Sequence, residues 1–164
     1  MSHDLPPTPA DIENARVAVD AWLARELRDN PVVEAVEQAT PGDVAAVGGG
    51  AKARWYLRVV GEEKSVFTAW LTLRQRTLHY ETYLMPAPET NAEVLYEHLL
   101  RRNRTLRGVA LCIGEEDAVF LAGEIPLPWI DDDTLDEVLG AIYAGTELCF
   151  RPAMRIGFAG KFKG

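Results

Sequence analysis

Between Ala53 and Met85 the apolar residues recur at every second position, and that alternation persists through three consecutive segments. The segments are 53–60 (ARWYLRVV), 66–74 (VFTAWLTLR) and 77–85 (TLHYETYLM), separated by Gly61-Glu62-Glu63-Lys64-Ser65 and by Gln75-Arg76. A period of two is the signature of a strand with one buried face, and connections this short join antiparallel neighbours. A two-residue turn at Gln75-Arg76 sets the register. It opposes Leu73 with Leu78, Leu71 with Tyr80, Ala69 with Thr82 and Phe67 with Leu84. The same register sets Thr72 against His79, Trp70 against Glu81 and Thr68 against Tyr83. The first face is apolar and is joined by Trp55, Leu57 and Val59; the second is mixed and is joined by Tyr56 and Arg58.

Helical patterns flank this meander. Thr8-Pro9 supplies an N-cap and a first-turn proline, and Ile12, Ala15, Val19, Trp22 and Leu23 fall at helical spacing, which predicts a helix over 9–28. Residues 31–52 connect this helix to the meander and leave their structure open, with Gly48-Gly49-Gly50 reading as a flexible connector. Val32, Val33 and Val36 suit a short helix or strand, Pro41-Gly42 interrupts it, and Gly48-Gly49-Gly50 lacks the lysine and hydroxyl residue of a phosphate loop. Beyond Pro86 and Pro88, Thr90 or Asn91 caps a second helix that buries Ala92, Leu95, Tyr96 and Leu99. A tight turn at Glu115-Glu116 then pairs 109–113 with 118–122. That pairing puts Val109, Leu111, Ile113 and Phe120 on one face and Cys112, Val119 and Leu121 on the other, so the hairpin is apolar on both sides. Asp131-Asp132-Asp133 opens a last helix burying Leu135, Val138, Leu139, Ile142 and Cys149, with a kink or break near 147–151 from Gly145 and Pro152. The expectation is an α+β domain over 9–159 in the order α-β-β-β-α-β-β-α. It has one antiparallel five-stranded sheet with helices packed on one face, a disordered tail at 1–8 and a second tail at 160–164.

Seventeen basic against 25 acidic residues give a net charge of −8, a balance that repels phosphate backbones and anionic membrane surfaces. No direct nucleic-acid contact and no membrane association are expected, although a nucleic-acid-binding partner would escape the charge argument. No apolar run approaches the ~20 residues that span a bilayer, and MSHDLPPTPADIE has no secretory n-region or h-region. Cys112 and Cys149 read as buried small hydrophobes, and a cytoplasmic setting follows. His3, His79 and His98 stand at no metal-ligand spacing, and neither Ser2 nor Ser65 lies in a nucleophile elbow. The aspartate triplet is explained by helix capping, and the cluster Arg101, Arg102, Arg104, Arg107 by the negative end of a helix dipole. The residues thus point to no enzyme, no metal and no cofactor. The alternative is a small-molecule-binding protein or enzyme with a pocket between sheet and second helix, near Tyr96 and His98.

The element order and four stretches resemble the YbjN family: FTAWLTLRQRTLHYETYLMPAPE, NAEVLYEHLLRRNRTL, GVALCIGEEDAVFLAGEIPL and FRPAMRIGFA, within residues 53–159. The resemblance implies a fold like that of the type III secretion chaperones. It also implies a dimeric, non-enzymatic protein that binds other proteins in a regulatory or stress-related role. Fold likeness does not carry secretion itself. On the residues alone, Tyr56, Trp70 and Tyr83 with Arg58, His79 and Glu81 around them have the composition of an interface centre. A two-fold copy or an unidentified client protein would cover this face, unless the third helix or the 31–52 connector does so within the chain. If a second copy covers it, truncating Trp70 gives a monomer; if the dimer forms elsewhere, the face is the client site.

Overall fold

The computed structural model describes residues 5–162. Residues 1–4 and 163–164 of the expected tails, His3 among them, lie outside the described residues. The elements run α1 (Pro9–Asp29), β1 (Val33–Gln38), α2 (Pro41–Val47), β2 (Ala53–Val60), β3 (Val66–Leu73), β4 (Thr77–Met85), α3 (Ala92–Arg102), β5 (Ala110–Ile113), β6 (Val119–Pro126) and α4 (Asp132–Gly157). The fold is α+β, and its sheet has six strands, not five, in the antiparallel order β1-β2-β3-β4-β6-β5.

The additional strand is β1, inside the segment read as a connector. Val33 and Val36 are three residues apart, a helical spacing, yet they pair with Val59 and Leu57 on the same face of β2. A register irregularity between Val33 and Ala35 makes this possible, because an inserted residue shifts the alternation by one. The rest of the connector forms α2, whose N-cap Thr40 accepts from the Asp43 amide at 3.2 Å. Gly48, Gly49 and Gly50 all hold positive φ (71°, 62° and 71°) and turn the chain back into β2.

The central register is the expected one: Leu73 opposes Leu78, Leu71 opposes Tyr80, and Ala69 opposes Thr82. Trp55, Leu57, Val59, Leu71, Leu73 and Leu78 are at most 2% exposed, and α1, α3 and α4 cover them with Trp22, Leu95 and Ile142. Two tryptophans lock α1 in place. The Trp55 indole donates to Asp20 at 2.7 Å, and the Trp22 indole donates to Asp136 of α4 at 2.8 Å. Arg25 adds ion pairs to Asp132 and Asp136. Two aspartates of the triplet are used at the start of α4, Asp132 in that ion pair and Asp131 accepting from the Thr134 amide at 2.8 Å.

Three local expectations are corrected. The β5–β6 connection is a one-turn 3₁₀ segment, Glu115–Asp117, with Glu116 and Asp117 at φ 56° and 57°. It is one residue longer than a turn centred on Glu115-Glu116, so Leu111 opposes Leu121 and Cys112 opposes Phe120. A one-residue slip exchanges faces. Val119 and Leu121 therefore enter the core beside Leu111, while Phe120 and Cys112 move outward, and Cys112 is exposed. The second correction concerns α4, which runs unbroken through Pro152. The carbonyl that Pro152 cannot engage belongs to Leu148, a residue 45% exposed, where water can take the bond, while Cys149 and Ala153 are fully buried. Third, Asn91 occupies the N-cap position of α3 in left-handed geometry without capping it. Its amide donates instead to Ile156 O at 3.0 Å, and the Glu89 and Thr90 amides both reach Gly157 O, which ties the start of α3 to the end of α4.

Gly123 is required by a close approach. Tyr80, opposite it, donates to Gly108 O at 2.6 Å, and a Cβ on Gly123 would stand 2.4 Å from that same oxygen and 2.7 Å from the phenol. Gly123→Ala should cost about 1–3 kcal/mol as an overpacking change, read as a lower urea midpoint. An unchanged midpoint would show that Tyr80 can leave its bond without penalty.

Candidate interface on the outer sheet face

The face turned away from α1, α3 and α4 gathers the residues named from sequence. Tyr56, Trp70 and Glu81 stand in one cross-strand row that starts at Glu37 and continues to Ala122 and Ala110. His79 lies one row away opposite Thr72, and Tyr83 lies one row away in the other direction, opposite Phe120. Arg58 pairs with Thr68 toward the β1 edge and forms an ion pair with Glu34. Arg58 is exposed, and the other five are half-buried. Neither α4 nor any other long helix covers this face; α2 lies along its margin, where the Arg74 guanidinium holds Gly49 O at 3.1 Å.

Two participants were not named from sequence. Arg54 has the same parity on β2 as Tyr56 and Arg58, and that parity was the available signal. Its guanidinium lies over the rings of Tyr56 and Trp70, at 5.7 and 5.9 Å from their centroids, and its Nη2 is 3.5 Å from Glu81 Oε1. Phe120 arrives through the slipped hairpin register and packs edge-on against Tyr83 with centroids 5.6 Å apart.

The electrostatics centre on Glu81. His79 Nε2 is 3.6 Å from its carboxylate, and this contact holds the Glu81 carboxyl below the usual range against the opposing effect of burial, with Arg54 and Arg74 adding to it. Partial desolvation by its neighbours raises the Cys112 thiol pKa, with Glu81 contributing.

The β2–β3 loop borders this face at Tyr83. Glu147 of α4 accepts from the Glu62 amide at 2.8 Å, and Arg151 pairs with Glu63 at 2.6 Å. Lys64 Nζ donates to Tyr83 O and Leu84 O at 2.6 and 3.0 Å, between the rings of Tyr83 and Phe150. Desolvation lowers the Lys64 pKa from 10.5 to about 8. Between those values the unfolded chain holds a proton that the folded chain has released, so stability should rise as pH climbs from 8 to 10.5 and gain nothing from Lys64 below 8. Urea midpoints across that range should slope upward in the wild type and less so in Lys64→Met; parallel slopes would refute the assignment. On α3, His98 is half-buried and its pKa is pushed down by burial, with Arg102 assisting; Tyr96 packs against the core.

Residues 42–152 match the model of the YbjN family, described as "Putative bacterial sensory transduction regulator". Uncharacterized proteins of Mycobacterium bovis and Mycobacterium tuberculosis are 31% identical over 110 residues, covering 67% of this chain and 60% of theirs. One of Mycobacterium leprae is 30% identical over 105 residues, covering 64% of this chain and 57% of its own. The chain thus spans about three fifths of the length of these relatives. Among solved structures, a chain of the HopA1-SchA chaperone-effector complex superimposes with a TM-score of 0.54 at 14% identity, covering 87% of this chain and 98% of that one. A chain of the heterodimeric ExoU-SpcU complex from the type III secretion system of Pseudomonas aeruginosa gives 0.44 at 16% identity, covering 82% and 98%.

Proposed function

Since the chain belongs to the YbjN family, we propose that it is a non-enzymatic protein-binding module, chaperone-like or regulatory. In this reading it acts in the cytoplasm as a homodimer that holds a partner protein against its outer sheet face. The observation that carries the reading is the composition of that face. Four aromatic rings, Tyr56, Trp70, Tyr83 and Phe120, occupy adjoining rows and are bordered by Arg54, Arg58, His79 and Glu81. Half-buried aromatics with a charged rim are what an interface centre requires, whereas a solvated sheet face is usually polar throughout. The fold likeness to a chain of a chaperone-effector complex is in keeping with it, and no helix among the described residues is long and apolar enough to cross a membrane.

The slipped hairpin favours one of the two occupants this face could have. With Val119 and Leu121 in the core, its β5–β6 end presents Ala110, Cys112, Phe120 and Ala122, a smaller apolar area than a hairpin greasy on both sides. The need for a second copy over it is correspondingly weaker, and the partner takes this face while the dimer contact lies elsewhere. Affinity capture from a native bacterial lysate, with wild-type and Trp70→Glu protein in parallel, tests this. A protein retained by the wild type and lost by the variant is the expected result. Identical captures on both, or none on either, would remove the outer face from consideration.

A further inference from the structure

The outer face is not flat. Between α2 and the β5–β6 turn it sinks into a cleft of about 440 Å³, lined by Arg54, Trp70, His79 and Glu81, with Val47 on one side and Phe120 on the other. We propose that this cleft receives a carboxylate side chain of the partner protein, carried next to an apolar residue that lies against Trp70 and Phe120. This rests on the outer face being the partner surface and specifies what the partner must bring.

The hydrogen-bonding groups within the cleft favour an anion. Arg54, Arg74 and His79 face Glu81, and Glu115 stands at the exposed rim. Glu81 is already shared: its two oxygens are 3.5 Å from Arg54 Nη2 and 3.6 Å from His79 Nε2, and Arg74 acts on it as well. An incoming cation would compete with three groups for one carboxylate. An incoming carboxylate meets donors with little to do. Arg54 makes only that long contact through Nη2, and its Nε is enclosed with no hydrogen-bond partner. The faces of Tyr56 and Trp70 fix the plane of the guanidinium but satisfy none of its N–H groups. A planar fork of donors held in this way matches a carboxylate better than any other common side chain. The ring of Tyr56 stands outside the cleft at the β2 end of the same row, and that of Tyr83 in the neighbouring row. A free small acid would leave them uncovered, whereas a polypeptide bearing the carboxylate extends over them.

Panning a phage library of random dodecapeptides on the full chain provides the test. Enriched sequences should carry Asp or Glu beside an aliphatic or aromatic residue. For a synthetic peptide from that set, Kd should rise by about tenfold or more when its carboxylate becomes an amide. It should rise similarly in Arg54→Gln, and the two changes together should cost no more than one alone. Should Arg54→Gln not fold, Arg74→Gln, which reaches the cleft from the β3–β4 turn, serves in its place. Peptides that depend on Trp70 but carry no carboxylate, or bind Arg54→Gln as tightly as wild type, overturn the cleft assignment and leave the outer face as the partner surface. Peptides indifferent to both Trp70→Glu and Arg54→Gln, or a library that yields none, overturn both.

Discussion

Trp55→Ala should remove about 3–5 kcal/mol of folding stability, the range for truncating a buried large aromatic. Trp55 is 1% exposed at the centre of the apolar face, where β2 meets α1. Truncation opens a cavity in a region whose other members, Leu57, Leu71 and Leu73, are held by their own neighbours and can collapse only in part. It also deprives Asp20 of the indole donor at 2.7 Å, leaving that carboxylate to Arg16 alone. Domains of this size hold ~5–15 kcal/mol in total, so the variant stands near the edge of folding. Urea denaturation followed by far-UV circular dichroism reads the loss directly. Trp129→Ala is the matched control: Trp129 is 62% exposed, and its truncation should stay within about 0.5 kcal/mol. Equal midpoints for the two variants would mean that burial at position 55 is not what secures α1 to the sheet.

Trp70→Glu should leave the fold and the oligomeric state as they are and weaken partner binding by about 30-fold or more, the ~2 kcal/mol typical of an aromatic at an interface centre. The side chain is half-buried, touches no helix core, and has Tyr56 and Glu81 as its cross-strand neighbours. A glutamate there loses the ring and sets a second carboxylate beside Glu81, in competition for Arg54. Light scattering and binding should therefore separate. The wild type and the variant should both report a dimer mass, and only the wild type should hold the partner. If the variant instead becomes a folded monomer, the outer face is where two copies meet, and the partner must dock elsewhere. A monomeric wild type at micromolar concentration would dispose of the homodimer altogether.

Much of this architecture is written in the alternation of 53–85. A strict period of two with a two-residue turn admits one register, and the pairs from Leu73–Leu78 to Ala69–Thr82 are those it dictates. What escaped the sequence escaped for local reasons. The β1 irregularity converts Val33 and Val36 to a helical spacing, so a strand was hidden in a connector, and with it the helix α2 that walls the cleft. Glu116 and Asp117 adopt left-handed backbone geometry, which side chains other than glycine seldom take, and the longer turn reversed the hairpin faces. Pro152 is tolerated in α4 because the carbonyl it orphans belongs to the exposed Leu148, a fact of burial rather than of composition. The outer-face residues were legible because parity alone assigns a face. The cleft between them was not, since one wall comes from α2 and the other from the slipped turn.

The family match begins at residue 42, after α1 and β1 have ended. Those two elements nonetheless pack onto the matched region. Val19, Trp22 and Leu23 are at most 2% exposed against the sheet and α4, and β1 is all that pairs with the free side of β2. A fragment cut at 42 would present an unpaired apolar strand edge with the Trp55 indole facing water, the arrangement that templates edge-to-edge association. The recognisable core of this chain is therefore expected to need α1 and β1 in order to fold. A fragment of 42–152 should precipitate or assemble into β-rich aggregates where the full chain stays dispersed.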